Sequence, residues 1–268
     1  MSDQPFTLHP ADARSLTARR AFVTGGDSGI GQGVCYELAA HGASIAINYV
    51  QSPAIAEQMV GEIGAAGGKA VAVRMDVTSE PDVQRAFGEA RDALGGIDLL
   101  VNDAGIEQQH LLLEMPLEAW QKVIDVNLTG AFLCAREAAR MMRDAGSSGT
   151  IVNISSVHER IPWERFSHYC ASKGGLMLFT QSIAKELAPL GIRVVSVAPG
   201  AIDTPINRAA LEDPQASAAV IDEVPLGRWG HAIEVARAVA WLASDQASYI
   251  TGATLFVDGG MTLYPRFI

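Results

Sequence analysis

The sequence predicts a single-domain α/β fold in which about seven parallel strands form a doubly wound sheet with helices on both faces. Three observations carry that prediction. Short apolar segments bounded by glycine and aspartate alternate with longer amphipathic ones along most of the chain, the rhythm of repeated strand and helix units. Most of the short segments are continuous apolar runs, as strands covered on both faces require. The 268 residues, 49% of them hydrophobic, suit one α/β unit of roughly 250 residues with a core that needs no staples.

Strands are expected at Arg20–Thr24, Ser44–Asn48, Ala70–Met75, Leu99–Asn102, Thr150–Ser155, Arg193–Ala198 and Thr254–Val257. Between them, helical patterns cover 30–41, 54–66, 81–94, 117–143, 168–188 and 231–243, joined by right-handed crossovers. A polar leader spans 1–18 and a single catalytic domain 19–268. The stretch 205–228 breaks the short-loop rhythm and reads as a substrate lid or, equally, a passive surface helix.

Composition narrows the function. The net charge of −10 is scattered along the chain, which excludes nucleic acid as an electrostatic partner. Three cysteines, Cys35, Cys134 and Cys170, form no CxxC pair and read as reduced thiols. The leader, with Asp3, His9, Pro10 and Asp12, lacks a signal-peptide core, and no later run reaches roughly 18 apolar residues. A cytoplasmic protein with no membrane contact is the expectation.

Ala21-Phe22-Val23-Thr24 reads as a buried strand, and Gly25-Gly26-Asp27-Ser28-Gly29-Ile30-Gly31 leads from it straight into a helix. Glycine permits positive φ and close backbone approach, while a helix N-terminus offers free N–H groups to a pyrophosphate. That context makes the turn a dinucleotide signal. Tyr169 and Lys173 stand four apart on one helical face, and Ser156 ends a strand thirteen residues upstream of Tyr169. Asn127 shares an apolar stripe with Trp120, Val123, Ile124, Leu128, Ala131 and Phe132, so its amide needs a partner.

The spacing of Gly25, Gly29 and Gly31 resembles the TGxxxGxG form of the short-chain dehydrogenase/reductase family. Asn102-Asp103-Ala104-Gly105 is similar to that family's NNAG element, with Asp103 departing at the second position. Pro199-Gly200 and Thr204 resemble its PG…T element, which flanks the nicotinamide. The resemblance implies a Rossmann-type fold and a cofactor bed of Gly25, Asp27, Ser28, Gly29, Ile30, Gly31, Asn102, Ala104, Gly105, Tyr169, Lys173, Pro199, Gly200, Ile202 and Thr204. Asp76 and Val77 would hold adenine, although a capping role for Asp76 is equally open. NAD or NADP is the implied cofactor. The second strand ends Ile47-Asn48-Tyr49-Val50 without the acid that would bond a ribose or the arginine that would meet a 2′-phosphate. Asp27 and Val50 tilt the reading toward NAD, with dual use open.

Family resemblance also assigns the tetrad. Tyr169 exchanges the alcohol proton, Ser156 hydrogen-bonds the carbonyl oxygen, Lys173 favours the phenolate and binds ribose, and Asn127 holds a relay water. An unperturbed tyrosine titrates near ~10, so it needs a neighbouring cation to act as a base at neutral pH. The hydride goes to the nicotinamide and no metal is required. No metal-ligand spacing occurs among the six histidines and three cysteines.

Three stretches are closest to the bacterial glucose 1-dehydrogenase subgroup: 102–107, 155–163 and 247–262. That implies a sugar as the small-molecule substrate, with Glu107, His158 and Asn207 reading its hydroxyls beside Ser156 and Tyr169. Each also has an ordinary reading: a solvated loop charge, a loop histidine bonded to backbone, and a helix cap. A reductase of another carbonyl (a 3-oxoacyl thioester, a ketone or another sugar) and a nucleotide-sensing binding protein are the competing functions. Surplus apolar surface on the helices at 117–143 and 168–188 and on Leu255-Phe256-Val257 fits the homotetramer that the family implies.

Overall fold

The computed structural model describes residues 15–263. Strands β1 (Arg20–Thr24), β2 (Ser44–Tyr49), β3 (Lys69–Arg74), β4 (Leu99–Asn102), β5 (Gly149–Ile154) and β6 (Ile192–Pro199) are followed by β7 (Ile202–Asp203), β8 (Gly230–His231) and β9 (Thr254–Val257). Seven of them form one parallel sheet in the order β3-β2-β1-β4-β5-β6-β9. This is the doubly wound α/β fold expected, and every predicted strand lies within one residue of its observed bounds. The strand order reverses between β1 and β4, which opens a crevice at their carboxyl ends.

The helices are α1 (Gly29–Ala40), α2 (Ala54–Ala65), α3 (Glu80–Leu94), α4 (Leu117–Ile124), α5 (Gly130–Asp144), α6 (Ser167–Leu187), α7 (Arg208–Glu212), α8 (Pro214–Asp222) and α9 (Ala232–Ala243). Alternate strand residues face opposite layers. Val23, Ile45, Ile47 and Val101 pack with Leu38, Met59 and Val239 from α1, α2 and α9. Phe22, Leu100, Ile151 and Val194 pack with Phe87 and Met142 from α3 and α5, and Phe22 stacks on Phe87 with ring centroids 4.2 Å apart.

Two features depart from the sequence reading, and the 205–228 stretch takes a definite form. The helix expected over 117–143 is broken by a π-helical turn at Asp125–Thr129. The wider turn shifts the helical phase, so Asn127 is buried while Phe132, counted in the apolar stripe, is 39% exposed. A second, two-stranded parallel sheet pairs β7 with β8. The 205–228 segment folds into a 3-10 turn followed by α7 and α8, and no residue in those three elements is buried. Most of the leader, residues 1–14, lies outside the described residues, but Leu16 is fully buried and its N–H bonds His41 O at 3.0 Å.

A chain of buried polar groups ties the layers together. Asn102 Nδ2 donates to Asn153 Oδ1 at 2.9 Å, Asn153 Nδ2 donates to Thr180 Oγ1 at 2.8 Å, and Thr180 Oγ1 lies 3.0 Å from Ser196 Oγ. One path thus joins β4, β5, α6 and β6. Removing its central member leaves buried groups of Asn102 and Thr180 short of a partner, at about 1–3 kcal/mol for each group left unpaired. Asn153→Ala is therefore expected to lower the urea midpoint without changing the slope of the transition. An unchanged midpoint would show that the chain contributes nothing to stability.

Candidate functional site

The crevice begins with the glycine turn between β1 and α1. Gly25 and Gly29 take φ of 63° and 51°, which side chains rarely adopt. A Cβ on Gly31 would stand 2.3 Å from Gly25 O, and one on Gly25 would stand 3.1 Å from the Ala104 Cα. The glycines therefore hold backbone where side chains would fill the cradle. Ser28 sits in extended conformation at the α1 N-cap without a side-chain cap bond, leaving its hydroxyl and the helix end toward the crevice.

Two side chains set the shape of this bed. Asn48, at the end of β2, accepts from Gly25 N at 3.0 Å and donates to Met75 O at 3.0 Å and Val73 O at 3.3 Å. Thr24 Oγ1 accepts from both Asp103 N and Ala104 N at 3.0 Å. Neither residue was singled out in the sequence; the signal was a polar residue inside an apolar run, which needs a buried partner.

The tetrad residues come together at the ends of β5 and α6. Ser156 is extended and its Oγ accepts from His158 N at 3.2 Å. Burial raises the pKa of the Tyr169 phenol, and the neighbouring Ser156 hydroxyl works against that rise. Lys173 Nζ donates to Ile154 O at 2.8 Å and lies 5.6 Å from the Tyr169 ring centre. Burial lowers the Lys173 pKa to about 8, opposed by the carboxylates of Asp103, Glu107 and Glu159. Asn127 is held by the loop after β4: its Oδ1 accepts from Ile106 N at 2.8 Å, and its Nδ2 donates to Ile106 O at 3.0 Å and Ser172 Oγ at 3.1 Å.

Tyr169, Ser156 and Lys173 open into a cavity of ≈ 530 Å³ that also reaches Ser28, Gly29 and Ile30. Gly105, Pro199, Gly200, Ile202 and Thr204 line it, as do the three substrate candidates Glu107, His158 and Asn207. Glu107 is no freely solvated loop charge, because burial raises its pKa to about 7 against the pull of Lys173. His158 Nδ1 lies 3.1 Å from Ile161 O, which puts the proton on Nδ1 and leaves Nε2 as an acceptor. Burial also lowers its pKa, so the ring is neutral. Asn207 does not cap α7; its Nδ2 donates to Ile202 O at 2.9 Å.

Other cofactor candidates lie off the cavity lining. Asp76 is exposed and its Oδ1 accepts from Thr78 N at 2.9 Å, a turn-capping geometry. Val77 is buried, and a Cβ on Gly130 would approach its Cγ2 to 2.8 Å. Asn102 is buried in the polar chain of the sheet, and Asp27, in the glycine turn, has its pKa raised by burial. The aromatic wall went unrecognised as a unit. Trp163 stacks on Phe166 at 3.7 Å and on His158 at 4.5 Å, and meets Tyr169 edge-on at 6.1 Å. The 205–228 segment adds Ile206, Val220 and Glu223 to the lining, and Trp229 joins them, its Nε1 donating to Ser217 Oγ at 2.9 Å. Their roles depend on tertiary contact, which periodicity does not encode.

Comparison with known proteins agrees with this geometry. A family model described as "Enoyl-(Acyl carrier protein) reductase" matches residues 25–262. The 3beta-hydroxysteroid dehydrogenase 1 of Eggerthella lenta is 46% identical, over 94% of this chain and 97% of that protein. Glucose 1-dehydrogenase 2 of Bacillus subtilis is 41% identical, over 94% and 98%. A gluconate 5-dehydrogenase from Burkholderia cenocepacia, solved in complex with NADP and tartrate, superposes with TM-score 0.90 at 35% identity, covering 96% of this chain and all of that one. With a match that runs through the glycine turn, the tetrad and the edge strand, the chain belongs to the short-chain dehydrogenase/reductase family of oxidoreductases.

Proposed function

We propose that the protein oxidises a ring hydroxyl with NAD or NADP, and that its substrate is D-glucose, converted at the anomeric carbon to gluconolactone. The observation that carries this reading is one cavity in which Ser156, Tyr169 and Lys173 share the lining with Glu107, His158 and Asn207. A sugar presents hydroxyls around its ring, and polar groups spaced about the reacting carbon suit it.

The glycine cradle fits a dinucleotide, with Gly25, Asp27, Ser28, Gly29, Ile30 and Gly31 at the pyrophosphate, Asp76 and Val77 toward the adenine, Asn102, Ala104 and Gly105 along one wall, and Pro199, Gly200, Ile202 and Thr204 at the nicotinamide end. When bound, the nicotinamide supplies the hydride acceptor. The chain's own residues manage the proton. Ser156 holds the substrate oxygen against Tyr169, and Tyr169 takes the hydroxyl proton as the hydride departs. The Lys173 ammonium favours the phenolate, and Asn127, fastened to Ile106, keeps the relay end of the site in register. Tyr169→Phe is expected to lower kcat by roughly 10²–10⁴-fold while NADH affinity, read by fluorescence titration, stays near wild type. Near-normal turnover would overturn the proton role.

Arg74 supports use of NADP beside NAD. Its Nε donates to Val50 O at 3.2 Å, which brings a guanidinium from β3 to the end of β2, where a 2′-phosphate is read. Arg74→Ala is expected to raise KM for NADP about ten-fold with KM for NAD nearly unchanged. Equal effects on the two cofactors would remove Arg74 from the discrimination.

A second reading rests on the apolar part of the lining, to which Trp163, Ile206, Val220, Trp229 and Met261 contribute. This surface favours an apolar ring alcohol such as the hydroxysteroid named for the Eggerthella lenta relative. Exposed apolar residues on α5, α6, α9 and β9, among them Phe132, Leu178, Trp241 and Leu255, support a homotetramer that covers them. The three free cysteines suit the cytoplasm. Initial rates of reduced-nicotinamide formation with D-glucose, other sugars and a 3β-hydroxysteroid decide between the readings. Glucose is expected to be fastest. Steroid turnover without glucose turnover would replace the substrate, and reduction of carbonyls alone would reverse the direction.

A further inference from the structure

Asp103 stands where the family pattern has asparagine, and the structure gives that difference a place. Its Oδ2 lies 2.7 Å from where a Gly31 Cβ would be, against the first turn of α1, where the Gly31 N–H holds the carboxyl's pKa down. It lines the cavity with Ser28, Gly29 and Ile30. No ion pair to it is found among the described residues. A half-buried carboxyl without a paired cation therefore borders the bed that a pyrophosphate must enter.

We propose that Asp103 makes cofactor binding proton-linked: the bed accepts the dinucleotide pyrophosphate with this carboxyl protonated, and affinity falls as the carboxyl ionises. The proposal rests on the dinucleotide reading of the cradle. The charged and titratable groups around Asp103 are Lys173 and Tyr169 from α6, Cys35 from α1 and Asp27 from the glycine turn. Glu107 faces the same ammonium from the loop after β4. Lys173 alone among them carries positive charge, and it is shared with Glu107 and Glu159.

Burial raises the Asp103 pKa to about 7, against the pull of Lys173 and the Gly31 N–H. Below that pH the carboxyl is neutral; above it a carboxylate faces the phosphates. Negative phosphate disfavours the carboxylate, so binding raises the carboxyl's pKa and draws in a proton. By linkage, affinity is highest below about pH 7 and declines by up to about ten-fold per pH unit above it, until the pKa of the complex is reached. Asparagine would give Gly31 the same acceptor without the charge, so Asp103 acts as a positioning residue whose proton adjusts the bed.

The test is NADH binding to the full chain, followed by fluorescence from about pH 6.5 to about pH 8.5, for wild type, Asp103→Asn and Glu107→Gln. NADH is chosen because its reduced ring is uncharged, leaving the phosphates as the charged part. Across that range the wild-type Kd is expected to rise about ten-fold more than that of Asp103→Asn, while Glu107→Gln keeps the wild-type slope. Lys173 titrates in all three proteins and loses the pull of one carboxylate in each variant, so the difference between Asp103→Asn and Glu107→Gln reads Asp103. Calorimetry in two buffers of different ionisation heat should find proton uptake on binding in wild type that Asp103→Asn lacks. Equal slopes and equal uptake in wild type and Asp103→Asn would overturn the proposal alone. Failure of every protein to bind NADH at any pH would overturn the dinucleotide reading and the proposal with it.

Discussion

Parallel strands all end on the same edge of their sheet, and everything in this site hangs from those ends, so their alignment is the constraint on which the rest depends. Hydrophobic burial alone does not provide it, since it rewards removal from water without fixing direction. Buried amides and hydroxyls do, because each has few partners and loses heavily without them. Thr24 joins the end of β1 to the loop after β4, Asn48 joins β2 to both the glycine turn and β3, and Asn102 and Asn153 carry the connection across to α6. Together they place the cradle and the tetrad in one frame.

The π-helical turn at Asp125–Thr129 belongs to the same logic. A regular helix from 117 to 144 would carry one continuous stripe into the core. The extra backbone width instead lets Asn127 sit fully buried and grip Ile106 by both its amide oxygen and its nitrogen, at the point where the loop turns toward Glu107. Gly130 follows directly, and Val77 fills the space that its missing side chain leaves. A helix irregularity thereby couples the loop after β4 to the end of β3.

Much of this was legible in the sequence. Continuous apolar runs marked the seven strands of the main sheet, and their alternation with amphipathic segments gave the fold class. The glycine turn was recognisable because a strand precedes it and a helix follows, and the order Asn127, Ser156, Tyr169, Lys173 pointed to one family. What stayed hidden has a common cause. The π turn repeats the apolar spacing of an ordinary helix closely enough that Phe132 was placed on the wrong side. Asn48 sat where an acid or an arginine was sought, and although a polar residue in an apolar run signals a buried partner, which backbone groups it bonds is set only by the tertiary fold. Arg74 belongs to a neighbouring strand, so its reach to Val50 exists only once β2 and β3 pair. The two-residue strands β7 and β8 are too short to show any period.

The segment that borders the cavity after β7 owns no buried side chain from Pro205 to Asp222. It is held by a few polar ties, Asn207 to Ile202 and Trp229 to Ser217 among them, while the core closes beneath it without its help. Substitutions that reshape the roof of the cavity therefore leave folding stability nearly untouched, and those that reshape its floor do not. A scaffold divided in this way lets one chemistry explore new alcohols through a short stretch of chain, so a change of substrate need not begin with a loss of structure.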